Sequence, residues 1–165
     1  MAYRQHDYVL RLIEQIAAVL ARARKLREQG QYEAALADLE RAAAELLGPT
    51  GALLGRVDAA TAAQLLGDWR RLGAWGQLLA EEAEVRDAQG HDAAGAATRR
   101  RALELTLESL QRFDAGVRPG GAPGDDTGRA EIVRLVAALT LRVDPITLAD
   151  RYQQALRRVQ RGEGA

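Results

Sequence analysis

The chain has 165 residues, 23 basic and 23 acidic side chains, 47% hydrophobic and 4% aromatic content, and no cysteine. This length suits one domain, or one domain with an appendage, and the apolar share is enough for a core. Balanced charge argues against a dedicated nucleic-acid binder, and the lack of cysteine excludes disulfides, thiolate catalysis and Cys-based zinc sites.

Ala and Leu dominate, both strong helix formers, and β-branched runs are nearly absent, so the expected class is all-α. No stretch approaches the roughly 18 uninterrupted apolar residues of a membrane span. The N-terminal MAYRQHDYVLRLIEQ carries charges where a signal peptide needs an apolar run. The expectation is a cytoplasmic protein with no membrane contact.

Apolar spacing predicts a first helix over Asp7 to Glu28, with Tyr8, Leu12, Ile16, Leu20 and Ala23 on one stripe. Asp7 reads as its N-cap, and Gly30 as its C-terminal stop. A second helix is predicted over Gln31 to Leu47, stopped by Gly48 and Pro49. So short a link implies an antiparallel pair. Thr50 to Val57 reads as a loop anchored by Leu53, Leu54 and Val57, followed by a short helix from Asp58.

The segment GDWRRLGAWGQ contains three glycines, each costing a helix interior about 1 kcal/mol. A turn is therefore expected near Gly73 to Gly76, with Trp69 and Trp75 packed at that corner. Gln77 to Gln89 is the next predicted helix, ended by Gly90. Asp92 reads as the cap of a helix reaching Phe113, whose stripe is Ala96, Leu103, Leu107 and Leu110. This makes a second antiparallel pair.

Asp114 to Gly128 is dense in Gly and Pro and reads as a flexible linker. Beyond it, Ile132, Leu135, Val136 and Leu139 mark a helix over Glu131 to Arg142. Asp144 and Pro145 form a cap and first-turn pair for the last helix, which carries Leu148, Tyr152, Ala155, Leu156 and Val159. RGEGA at the end should fray. The expected organisation is a helical-hairpin domain over 1–113, a linker over 114–128, and a C-terminal helix pair over 129–165 that packs on the same domain or on another copy.

The stretch EQGQYEAALADLERAAAELLGP resembles the second half of a tetratricopeptide repeat, with Gly30, Tyr32, Ala35 and Ala42 at the family's turn, aromatic and small-residue positions. Gly90 and Ala102 match in the second pair, where Asp92 and Gly95 replace the aromatic and the alanine. Gly30 and Gly90 lie further apart than one such repeat of about 34 residues. The resemblance covers about half the chain and implies a layer of helical hairpins. HDYVLRLIEQIAAVLARA followed by GQYEAALADL also resembles a family of small bacterial helical proteins of unassigned function, matched at Asp7, Tyr8, Leu10, Arg11, Ile13, Glu14 and Gln15. That likeness implies a fold and no activity.

Chemistry is sparse. His6 and His91 lack the partners of a metal or base site, and Ser109 has no base near it in sequence. Glu81, Glu82, Glu84 and Asp87 read as a solvated acidic face. The runs Arg22–Arg27 and Arg99–Arg101 read as solvated faces paired with Glu. No P-loop or dinucleotide fingerprint occurs.

The expected function is a non-enzymatic helical scaffold for protein–protein interaction or self-association, without cofactor or metal. Its groove would come mainly from the first helix of each hairpin. Tyr8 with Leu26, or Leu78 with Trp75, are candidates for exposure there. The alternative is a helical bundle holding a small apolar ligand, which requires a closed cavity.

Overall fold

The computed structural model describes residues 2–116 and 126–162. Among them are α1 (Ala2–Glu28), α2 (Tyr32–Leu47), α3 (Gly51–Leu54), α4 (Ala59–Leu66), α5 (Trp69–Ala88), α6 (Asp92–Asp114), α7 (Asp126–Thr140) and α8 (Asp150–Gln160), and no strand. The class is all-α, as composition implied. Single 3-10 turns lie at Gly48–Thr50 and Pro145–Thr147. No helix of the described residues is long and apolar enough to cross a membrane.

Glycine sets both hairpin turns. Gly30 (φ +72°) and Gly90 (φ +79°) take the left-handed conformation, which costs other L-residues about 1–2 kcal/mol. Each turn is closed by paired backbone bonds: the Gly30 N–H reaches the Arg27 carbonyl and the Gln31 N–H the Leu26 carbonyl, with the same pattern at Gly90 and His91. These bonds satisfy carbonyls that the helix end would otherwise leave bare.

Some expected boundaries move. Asp7 is no cap, because α1 already begins at Ala2. The expected loop after Pro49 folds into α3, where Leu54 is buried and Leu53 exposed. Asp58 does cap α4, accepting the Thr61 N–H at 2.9 Å. Asp92 is the first residue of α6, and His91 holds the cap position without a side-chain bond. Asp144 caps the Pro145–Thr147 turn, while Ala149 precedes α8. Gly95 rather than Ala96 faces inward on α6. Of the expected linker, Asp114 ends α6 and residues 126–128 open α7, while 117–125 lie outside the described residues, as do 163–165 of the RGEGA end.

The largest departure is α5. The turn expected at Gly73 to Gly76 does not occur, and the helix runs unbroken from Trp69 to Ala88. Both glycines face α6. A methyl added to Gly73 would lie 3.2 Å from the Ser109 hydroxyl, and one added to Gly76 would lie 2.5 Å from the Thr106 hydroxyl. On the other side of the seam, a Cβ on Gly95 would overlap the Asp87 carboxylate, which would have to move aside. Glycine is thus used for close approach of two helices, which no local propensity reports. Trp69 and Trp75 are both buried, within a straight helix instead of at a corner.

Helix directions follow from contacts at the two ends. Arg71, at the start of α5, donates to the Leu46 carbonyl at the end of α2, while Gln89, at the end of α5, donates to Glu33 at the start of α2. So α2 opposes α5, and α1 runs with α5. Ile132 of α7 lies beside Gly73, and Arg142 just past α7 pairs with Glu84 and Asp87. So α7 also runs with α5. Helices α1, α5 and α7 therefore share one direction, and α2 and α6 return between them.

The main core draws on every helix, from Ile16 and Leu39 through Leu54, Ala62, Leu78 and Leu103 to Val136 and Leu156. A smaller cluster joins Trp69, Leu110, Phe113 and Ile132, with the Trp69 and Phe113 rings edge to face at 4.9 Å. Helices α7 and α8 both pack on α6 within the chain.

Candidate functional site

Three helices of one direction leave a cleft between them. Its walls are α1 and α7 and its floor is α5, with Arg99 contributed by α6. The volume is about 510 Å³, and the cleft opens to solvent. Ala17 and Leu20 line one wall, Leu135, Ala138 and Leu139 the other, and Ala80 lies on the floor. Alanines at 17, 80 and 138 keep the walls apart; larger residues there would close the gap.

The polar groups of the cleft are organised in ion pairs. Glu81 is only 5% exposed. Its two oxygens accept from Arg24 Nε at 3.1 Å and Arg27 Nε at 2.9 Å. One helical turn on, Glu84 and Asp87 both receive Arg99, which is itself buried, and Arg142. Hydrogen bonding to Glu84 raises the Arg142 guanidinium above its ordinary value, although burial opposes the shift. The two clusters fasten α1 and the end of α7 to the floor helix. They hold the walls in register, since a buried carboxylate must keep its partner.

The acidic run Glu81–Asp87 is therefore not a solvated face. Glu81 is buried under two arginines, and Glu84 and Asp87 anchor a neighbouring helix. Of Arg99–Arg101, Arg100 alone is exposed as expected; Arg101 donates to the Leu54 carbonyl at 3.0 Å and lies over the Trp75 ring. Within Arg22–Arg27, Arg22 pairs with Asp38 at 2.6 Å while Arg24 and Arg27 hold Glu81.

A second polar cluster lies between α6 and α8. Glu108, 2% exposed, accepts from Tyr152 Oη at 2.9 Å, from Arg112 at 2.8 Å and from Arg151. Burial first, then the Glu108 charge, pushes the Tyr152 phenol well above its ordinary value. Burial likewise raises Glu104, although Arg101 and Arg100 oppose the shift. Neither Glu104 nor Glu108 lines the cleft.

Of the six repeat-type residues, four pack and two make turns. Gly30 and Gly90 form the two turns, which lie near each other where Gln89 meets Glu33. Ala35 and Ala102 are fully buried, and Tyr32 and Ala42 pack half-buried against the core. None of the six lines the cleft. Of the residues expected to face a groove, Leu78 and Trp75 are buried and Leu26 is half-buried, leaving Tyr8 exposed but outside the cleft. Ser109 is fully buried and donates to the Trp69 carbonyl at 2.6 Å. His91 is exposed at its turn, and the His6 side chain lies outside the described residues. No group of His, Asp and Glu able to hold a metal ion occurs among the described residues.

The cleft residues themselves were not legible singly. The available signal was the coincidence of a basic run at the end of α1 with an acidic run on α5, which are natural ion-pair partners once the helices align.

Comparison with protein-family models, with curated proteins and with solved structures finds no match, so the functional reading rests on this geometry.

Proposed function

We propose that the protein is a non-enzymatic, cytoplasmic helical scaffold that holds a segment of another protein, a peptide or a helix, in the cleft between α1 and α7. The observation that carries this reading is the open cleft of about 510 Å³ between helices of one direction. In stacked hairpins the first helices line such a groove, so the layout supports a tetratricopeptide-like description. Apolar walls with arginines at the rim suit an amphipathic helix that lays down a stripe of large side chains. The opening to solvent weighs against the small-ligand alternative, which needs enclosure. The carboxylates on the cleft floor are engaged by guanidinium groups, which favours binding over acid–base chemistry.

A display selection of helical peptides on the wild-type chain, counter-selected on Ala138→Trp, tests the reading. Ala138 is exposed on α7, so the indole fills the cleft without entering the core. Selected peptides should carry large apolar residues at i, i+3 or i+4, and i+7, and should lose binding to the Trp variant. Failure to recover any peptide that distinguishes the two chains sinks the reading.

A further inference from the structure

Helix α7 carries an outward row of Ala130, Arg134, Ala137 and Ala138, which Leu141 continues just past its end. Leu141 and Ile146, at 86% and 83%, are the most exposed large apolar side chains among the described residues. Both lie on the connection from α7 to α8, flanking Arg142, which lines the cleft. Two aliphatic knobs therefore adjoin a hole whose walls carry alanines at 17 and 138. The charges are complementary too. Among the described residues, Arg134 has no carboxylate partner, and Asp144, whose side chain accepts the Ile146 N–H at 3.0 Å, has no cationic partner.

We propose that α7 and its C-terminal turn form a self-association surface, and that the occupant of the cleft is the same segment of a second copy, laid antiparallel about a two-fold axis near Ala138. Such an interface makes each contact twice. Leu141 and Ile146 of each copy enter the alanine-walled cleft of the other, and Arg134 of each meets Asp144 of the other. Because knob and hole share one patch, the pairing closes at two copies instead of running into a filament. This rests on the reading of the cleft as a groove for a protein segment, and it adds the partner.

The test is the solution mass of the full chain by light scattering, over a dilution series from about 1 mM to about 1 µM. Wild type should move between twice the 17.9 kDa chain mass and the monomer. Leu141→Glu should weaken the pair, and Arg134→Asp and Asp144→Arg should each weaken it by roughly tenfold or more. Combining the two charge reversals should restore it, a recovery that loss of the Asp144 cap cannot produce. Circular dichroism of each variant reports the fold independently. A wild-type monomer throughout, or a dimer indifferent to Leu141→Glu and to the charge reversals, overturns the proposal. A monomer whose selected peptides still lose binding on Ala138→Trp would leave the groove reading standing and only its partner wrong.

Discussion

Gly76 faces Thr106 across the α5–α6 seam with no room for a side chain: a methyl on Gly76 would lie 2.5 Å from the Thr106 hydroxyl oxygen. That hydroxyl is itself held by the Ala102 carbonyl at 2.6 Å. Gly76→Ala should therefore destabilise the fold by about 1–3 kcal/mol, although alanine is the better helix former by about 1 kcal/mol. Thr106→Ala removes the clashing oxygen, so the double variant should recover part of the loss. Denaturant unfolding of the four chains in the cycle checks this, and a Gly76→Ala chain more stable than wild type would refute it.

Glu108 gathers Tyr152, Arg151 and Arg112 at the α6–α8 contact. Glu108→Ala should cost about 3 kcal/mol, since it strands the buried Tyr152 hydroxyl and the largely buried Arg112. Hydrogen exchange should localise the loosening to α8. Equal protection of Asp150–Gln160 in the variant and in wild type would count against this role.

Tyr152 supplies an alkaline limit. Its folded value is raised, so folded protein keeps the phenol proton after the unfolded chain has lost it. The stability it contributes is fully present below the ordinary value of 10.0 and declines as pH rises beyond it. Between pH 9 and about 11, wild type should lose more stability than Tyr152→Phe. Parallel losses in the two chains would remove Tyr152 as the cause.

Asp58 supplies an acid limit. The Thr61 hydroxyl first, then the Thr61 backbone N–H, hold its carboxyl below the usual 3.8. Its contribution is present above the unfolded value and is lost as pH falls through the lowered folded one. Asp58→Asn keeps an N-cap acceptor without the titration, so below about pH 4 its stability should fall less steeply than that of wild type. Thermal melts at stepped acidic pH provide the comparison.

What the chain declares on its own surface is local. Gly30 and Gly90 mark real turns because each needs a left-handed backbone that few residues adopt. The stripes Ile16–Leu20–Ala23 and Tyr152–Ala155–Leu156 are buried as their spacing predicts. Gly73 and Gly76 mislead for a definable reason. Local propensity counts the entropy a glycine loses in a helix, and the compensating contacts lie with Ser109 and Thr106, 36 and 30 residues on. The cleft was hidden in the same way. Glu81 looks like one acid among several until Arg24 and Arg27, 57 and 54 positions earlier in the chain, close over it.

The α5–α6 seam also bears on how the chain folds. Its two helices are joined by a three-residue turn, and all of its glycine contacts lie between residues 73 and 109. Closing so short a loop loses little chain entropy, whereas joining α1 to α5 through Glu81 closes a span of more than fifty residues. The seam should therefore be the earliest structure to persist during folding, with α1 and α8 condensing on it afterwards. Contacts this local favour early formation of the seam, and a chevron series on Gly76→Ala should show the loss mainly in the folding limb.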